Sequence, residues 1–196
     1  DVLTIADEVM TGFYRTGTMF AINQIQQEPD IICLSKGITG GILPIGFTVA
    51  TEAIFDAFLS EQTSKALLHG HSFTGNPMAC AAICASLDLF EQGDSLKGVE
   101  MLTRSHLEFI EKHKDHPKIK DVKSIGTILS IEVEIGAETT YFAGIRQEAF
   151  AFFLENDLFL RPLGNIIFIN PPYCITAEEL EYTYDKIIEF LTERVR

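Results

Sequence analysis

The chain of 196 residues contains no tryptophan, four cysteines, and 15 lysines and arginines against 28 aspartates and glutamates. Each shortage excludes something. The net charge of −13 leaves no basic footprint for a nucleic acid or an anionic membrane surface. The longest apolar stretch, Met78 to Ala85, is far short of the roughly 20 residues that span a bilayer. The opening residues do not read as a charged-then-apolar signal peptide. The cysteines (Cys33, Cys80, Cys84 and Cys174) show no CxxC spacing. Cys80 and Cys84 fall one helical turn apart among alanines, the pattern of small buried hydrophobes rather than of a disulfide framework. A reducing cytoplasm is the expected location. What is present suffices for a core: 46% of residues are hydrophobic, which argues against a disordered chain. At roughly 150 residues per domain, the length fits one large domain or two small ones.

Val2–Ala6 is an apolar, β-branched run that reads as a buried strand ending in Asp7-Glu8. A buried strand there needs neighbours that this sequence does not supply, so a segment upstream is expected. A Gly- and Thr-rich stretch follows, then a weakly helical segment near Met19–Gln26. Ile31–Leu34 and Phe47–Ala50 read as strands, separated by a loop, and Glu52–Leu59 begins a helix. After an irregular stretch, Met78–Glu91 is a helix with Asn76 as N-cap and Pro77 in its first position. A charged amphipathic helix runs from about Ser95 to Lys114 and breaks at His116-Pro117. Val122–Ile135 alternates like a long strand or hairpin. Ile145–Glu155 is helical with Phe150, Phe153 and Leu154 on one face. Leu158–Asn170 reads as a strand pair around Gly164-Asn165. Thr176 and Glu179 form a capping box for the last helix. The boundary falls near Glu91–Ser95: residues 1–94 are βαβ-like and residues 95–196 form a compact α/β unit.

Two residues stand out chemically. Lys36 follows a strand that reads as buried, where partial desolvation favours the neutral, nucleophilic amine of Schiff-base chemistry. Asp7 ends the preceding strand. In open α/β sheets, ligands bind beyond the carboxyl ends of strands. If the two strands are neighbours, Asp7 and Lys36 face one crevice. An Asp there can keep a pyridine nitrogen protonated, while the Lys anchors an aldehyde, the pairing that pyridoxal phosphate (PLP) requires. The ordinary alternatives are a turn-capping Asp and a solvated Lys, and spacing alone favours them. The loop before the Met78 helix offers the hydroxyls of Ser72 and Thr74, glycines at 70 and 75, and a helix start, a combination that suits a phosphate; its alternative is a surface loop. His69 and His71, two residues apart without a third ligand, are weak evidence for a metal, and that reading is rejected. His113 and His116 read as solvated. Arg161, on an otherwise apolar strand, needs an anion, either a substrate carboxylate or a structural Glu. Arg15 is a weaker candidate, Tyr14 a packing residue, and a structural ion pair is the default for Glu8.

Three separated stretches carry a family resemblance: Ile5-Ala-Asp-Glu-Val-Met-Thr-Gly-Phe-Tyr-Arg-Thr-Gly17, Pro29-Asp-Ile-Ile-Cys-Leu-Ser-Lys-Gly37, and His69-Gly-His-Ser-Phe-Thr-Gly-Asn-Pro77. In this order they resemble the class III, fold-type I PLP-dependent aminotransferases. The resemblance covers essentially the whole chain. It implies an α/β fold: the second half of a large, mostly parallel-sheet domain plus a small C-terminal α/β domain. Asp7 matches the residue that pairs with the pyridine nitrogen, and Lys36 the Schiff-base lysine that also shuttles a proton. Ser72 matches the residue that binds the cofactor phosphate from the neighbouring subunit of a homodimer; in the same loop, His71 is expected to bind the cofactor through its backbone and Gly70 to contact substrate. Leu160-Arg-Pro-Leu-Gly-Asn165 with Asn170-Pro-Pro-Tyr173 is similar to the branch acting in biotin synthesis on 8-amino-7-oxononanoate, with adenosylmethionine as the expected amino donor. Arg161 there matches the arginine that holds the keto acid's carboxylate. A class III ω-aminotransferase using ornithine, 4-aminobutyrate or lysine stays open, as does a non-catalytic piece, because family members are about twice this length. Tyr14 falls where many relatives carry Gly, in Gly-Phe-Gly-Arg-Thr-Gly, and a ring there could narrow the entrance.

Overall fold

A computed structural model describes residues 2–136 and 144–195. The chain divides into two compact units, residues 1–94 and 95–196.

The first unit is built on a three-stranded sheet in the order β1-β2-β3, formed by Ile5–Asp7, Ile31–Leu34 and Phe47–Ala50. β1 and β2 are parallel, with Asp7 opposite Cys33, and β3 runs antiparallel to β2. A 3₁₀ turn over Ala21–Ile25 lies between β1 and β2 where the weakly helical segment was expected. A second such turn, Lys36–Thr39, follows β2. Helix α1 spans Glu52–Phe58 and α2 Pro77–Glu91. α2 starts where its sequence directs: the Asn76 side chain accepts from the Met78 N–H at 2.9 Å, and Pro77 needs no donor there. The core is small, centred on Phe13, Leu34, Ile38 and Ile83.

Val2, Leu3 and Ile5, at and before the start of β1, are 90%, 66% and 63% accessible, since the described residues place no element over them, in keeping with a strand whose neighbours this sequence does not supply. One expectation fails here. Cys80 and Cys84 are exposed too, because α2 turns its other face, Ala79 and Ile83, inward. Periodicity located the helix but not its buried side.

In the second unit, α3 (Asp94–His113), α4 (Ile145–Glu155) and α5 (Ala177–Glu193) accompany an antiparallel sheet in the order β4-β5-β6. The strands are Ile119–Ile125, Ile128–Val133 and Ile166–Ile169, so the alternating stretch is a hairpin turning at Gly126 (φ 54°). β5 alternates strictly between half-buried and buried residues, as a strand with one covered face must. Leu129, Ile131 and Val133 pack with Phe153, Ile187, Phe190 and Leu191. The capping box of α5 forms as expected, Thr176 and Glu179 each accepting from the other's backbone N–H.

Three details differ from expectation. Residues 158–162 form no ladder; only Leu163 bridges to Ile166, so Leu158–Asn170 contributes one strand rather than a pair. α4 buries Ala149, Phe152 and Phe153, leaving Leu154 53% exposed and Phe150 half-buried. His113 is half-buried rather than freely solvated: its ring lies 4.7 Å from that of Phe109, and burial lowers its pKa, aided by Lys112 and His116.

Candidate active site

Parallel pairing of β1 and β2 brings Asp7 and Lys36 to the same end of neighbouring strands. Asp7 is the last residue of β1 and pairs with Cys33, three residues before Lys36. The Asp7 carboxylate accepts from the Val9 N–H at 3.1 Å, which turns the chain away from the strand end. After β2, Lys36 takes φ 42°, in the left-handed region that costs a non-glycine residue about 1–2 kcal/mol. Such strain gathers where function dictates backbone geometry. The turn is tied from beyond: the Ser35 hydroxyl donates to the Ile45 carbonyl at 2.6 Å, and the Thr39 hydroxyl to that of Leu43 at 2.8 Å. Lys36 itself is exposed, so these residues do not supply the desolvation expected from sequence.

The loop before α2 forms one wall of a cavity of about 770 Å³. His69, Gly70, His71 and Thr74 line it from one side, and Leu43 to Thr48 from the other. His71 organises the loop: its N–H donates to the Thr74 hydroxyl at 3.0 Å, and its ring Nδ1 accepts from the Phe73 N–H at 3.1 Å. Ser72 is exposed and does not line the cavity. Arg161 belongs to the second unit. It is exposed in the irregular segment before β6, not on a strand, and borders two hollows of about 420 and 450 Å³. The need for an anion does not therefore arise from burial. Arg146 borders the second hollow with it.

Two features escaped the sequence reading. Glu8 is 2% exposed and meets backbone N–H groups rather than serving as a simple ion pair. Phe13 and Tyr14 hold φ of 60° and 68°. The unusual backbone at Tyr14 was hinted at by the glycine that the family pattern carries there. Tyr14 rests its ring 5.4 Å from Phe90, a packing role within the first unit.

PLP presents a pyridine nitrogen, an aldehyde and a phosphate. The described residues offer a carboxylate and a primary amine on adjacent strand ends, and the hydroxyls of Ser72 and Thr74 in the loop before α2. This donor set fits the group. Among the described residues, no three His, Cys, Asp or Glu are grouped to hold a metal ion, and no helix is long and apolar enough to cross a membrane.

Comparison with known proteins identifies the family and the fold. The adenosylmethionine-8-amino-7-oxononanoate aminotransferase of Synechococcus elongatus is 42% identical over 191 residues, covering 97% of this chain and 44% of that protein. The crystal structure of the protein of that name from Methanocaldococcus jannaschii superposes with a TM-score of 0.86 at 36% identity, over 98% of this chain and 46% of that one. The ornithine aminotransferase of Toxoplasma gondii gives 0.80 at 27% identity, over 97% of this chain and 43% of its own. The chain thus spans less than half the length of these relatives, and the architecture it shares with them is that of fold-type I aminotransferases. The family described as aminotransferase class-III matches residues 1–191, and this chain belongs to it.

Proposed function

We propose that the protein containing this chain is a PLP-dependent aminotransferase that converts 8-amino-7-oxononanoate to 7,8-diaminononanoate, with adenosylmethionine as amino donor. The observation that carries the proposal is Asp7 and Lys36 at adjacent parallel strand ends, in a chain 42% identical to a protein named for that reaction. The exchange balances without an outside oxidant: the donor's amine-bearing carbon becomes a carbonyl, and the 7-oxo carbon becomes an amine.

When bound, PLP supplies the electron sink that makes the donor's Cα–H acidic. Lys36 Nζ would hold it through its aldehyde and, once displaced by the donor and again a free amine, would carry the donor's Cα proton. The Asp7 carboxylate would keep the pyridine nitrogen protonated. The hydroxyl of Ser72 would bind the phosphate, and the family resemblance has it do so from the neighbouring subunit of a homodimer. His71 would contact the cofactor through its backbone and Gly70 the substrate, both from the wall of the 770 Å³ cavity. Arg161 receives the carboxylate of the keto acid, a role to which a guanidinium is suited. Free cysteines are compatible with a reducing cytoplasm.

The test uses the full gene product loaded with PLP. Adenosylmethionine alone should bleach the visible cofactor band, and 8-amino-7-oxononanoate should restore it. Lys36→Ala should abolish the band of the lysine-bound cofactor; an unchanged spectrum would sink the assignment. The likeness to ornithine aminotransferases favours a second reading, an ω-aminotransferase for ornithine. Arg161→Ala separates the two. It should raise KM for the oxononanoate roughly tenfold or more, since an ionic hydrogen bond is lost, while leaving the donor half-reaction intact.

A further inference from the structure

We infer that Glu8 is a positioning residue for Lys36, acting through the loop it clasps; the inference rests on the reading of Lys36 as the cofactor's lysine. A buried carboxylate is costly unless its oxygens are hydrogen-bonded. Glu8 Oε2 accepts from the Ala21 N–H at 3.0 Å and from the Thr11 hydroxyl, and Oε1 accepts from the Ile22 N–H at 2.8 Å. Its main chain is engaged as well. The Glu8 N–H donates to the Cys33 carbonyl in β2 at 2.9 Å, and its carbonyl accepts from the Gly12 N–H at 3.0 Å. A Cβ at Gly12 would stand 2.9 Å from that carbonyl, so the loop closes this tightly only on glycine. Glu8 therefore gathers β2, the turn at Thr11-Gly12 and the start of the 3₁₀ turn at Ala21-Ile22. The segment between the last two carries Phe13.

Phe13 connects this clasp to Lys36. Its N–H donates to the Met19 carbonyl at 2.7 Å, closing the loop upon itself. Its side chain, 2% exposed, packs with Leu34 and Ile38, the residues two before and two after Lys36. A Cβ added to Gly37 would lie 3.2 Å from both Cβ and Cδ2 of Phe13. Phe13 thus stands directly against the backbone beside Lys36. A residue at φ 42° stays there only when its surroundings over-determine it. Phe13, Leu34 and Ile38 are those surroundings, and Glu8 sets where Phe13 stands.

Glu8→Gln tests this in the PLP-loaded full gene product. Glutamine keeps the size of the side chain but turns an amide NH₂ toward a donor. A misplacement of about 1 Å can cost on the order of a hundredfold in rate, so a smaller shift of Lys36 should slow single turnover with the amino donor roughly tenfold and leave the donor's KM near wild type. Amide exchange should accelerate in residues 9–22 and also in residues 35–40, with and without cofactor. Phe13→Leu thins the contact while leaving Glu8 in place, and should reproduce the slowed turnover and the faster exchange at 35–40. Faster exchange confined to residues 9–22 with wild-type turnover, or a Phe13→Leu protein indistinguishable from wild type at 35–40, would overturn the inference. If Glu8→Gln does not fold, Phe13→Leu and Thr11→Val decide by the same readings. Lys36→Ala keeps the two levels apart. If it retains the visible band, the reading of Lys36 fails; if it loses the band while the other variants behave as wild type, only the role of Glu8 falls.

Discussion

Tyr14 allows a test by sign. Its φ of 68° lies in the left-handed region, where an L side chain costs about 1–2 kcal/mol. The ring offsets part of this by lying 5.4 Å from that of Phe90, an arrangement worth about 0.5–1.5 kcal/mol. Tyr14→Ala removes the ring and keeps the strain. Tyr14→Gly removes both, at an extra backbone entropy of about 0.5–1 kcal/mol. The ring's loss is common to both variants, so glycine should exceed alanine by roughly 0.5–1 kcal/mol. At ordinary helix or strand positions the order is reversed. Amide exchange in the loop reads the difference locally. The Phe13 N–H is bonded to the Met19 carbonyl at 2.7 Å and the Gly17 N–H to that of Tyr14 at 3.0 Å. Both should exchange several-fold faster in the alanine variant than in the glycine variant, since about 1 kcal/mol is a factor of roughly five. Equal rates, or slower exchange in alanine, would refute the assignment of strain to this residue.

Two further outcomes concern the second unit. Gly98→Ala would gain about 1 kcal/mol of helix propensity in isolation, yet its Cβ would lie 2.0 Å from the Tyr173 carbonyl oxygen. Overpacking against backbone should lower stability by at least about 1–3 kcal/mol, read as a lower urea midpoint; a stabilised variant would refute the close approach. His106 is fully buried, with Nδ1 accepting from the Tyr184 hydroxyl at 2.6 Å and Nε2–H donating to the Thr127 carbonyl at 3.1 Å. Burial pushes its pKa below the ordinary 6.5, against the Thr127 bond that raises it. As pH falls below 6.5 the unfolded chain takes up this proton before the folded one does, so stability should fall. His106→Gln should flatten that loss between about pH 6.5 and 5 in urea titrations; an unchanged slope would show that another group governs it.

Short-range chemistry was enough for several features. The sequence of the 76–78 turn dictates where α2 begins, because Asn caps and Pro needs no donor. Thr176 and Glu179 do the same for α5. The strands Ile31–Leu34 and Phe47–Ala50 have the bounds that their apolar runs mark. Order and identity within three motifs put Asp7, Lys36 and Ser72 forward as candidates; the structure sets Asp7 and Lys36 at neighbouring strand ends and leaves Ser72 off the cavity wall. Which face of a helix is buried depends on what packs against it, and so Cys80, Cys84, Leu154 and His113 were misread. The ladder of residues 158–162 failed for a similar reason: apolar composition permits a strand, but only a partner's backbone makes one. The parallel pairing that sets Asp7 beside β2, the Glu8 clasp on residues 11, 21 and 22, and the left-handed turn at Lys36 were decided by tertiary structure alone. Each joins groups that are distant in sequence or holds a backbone its own residue disfavours, and no local pattern encodes a contact whose other half lies elsewhere in the chain.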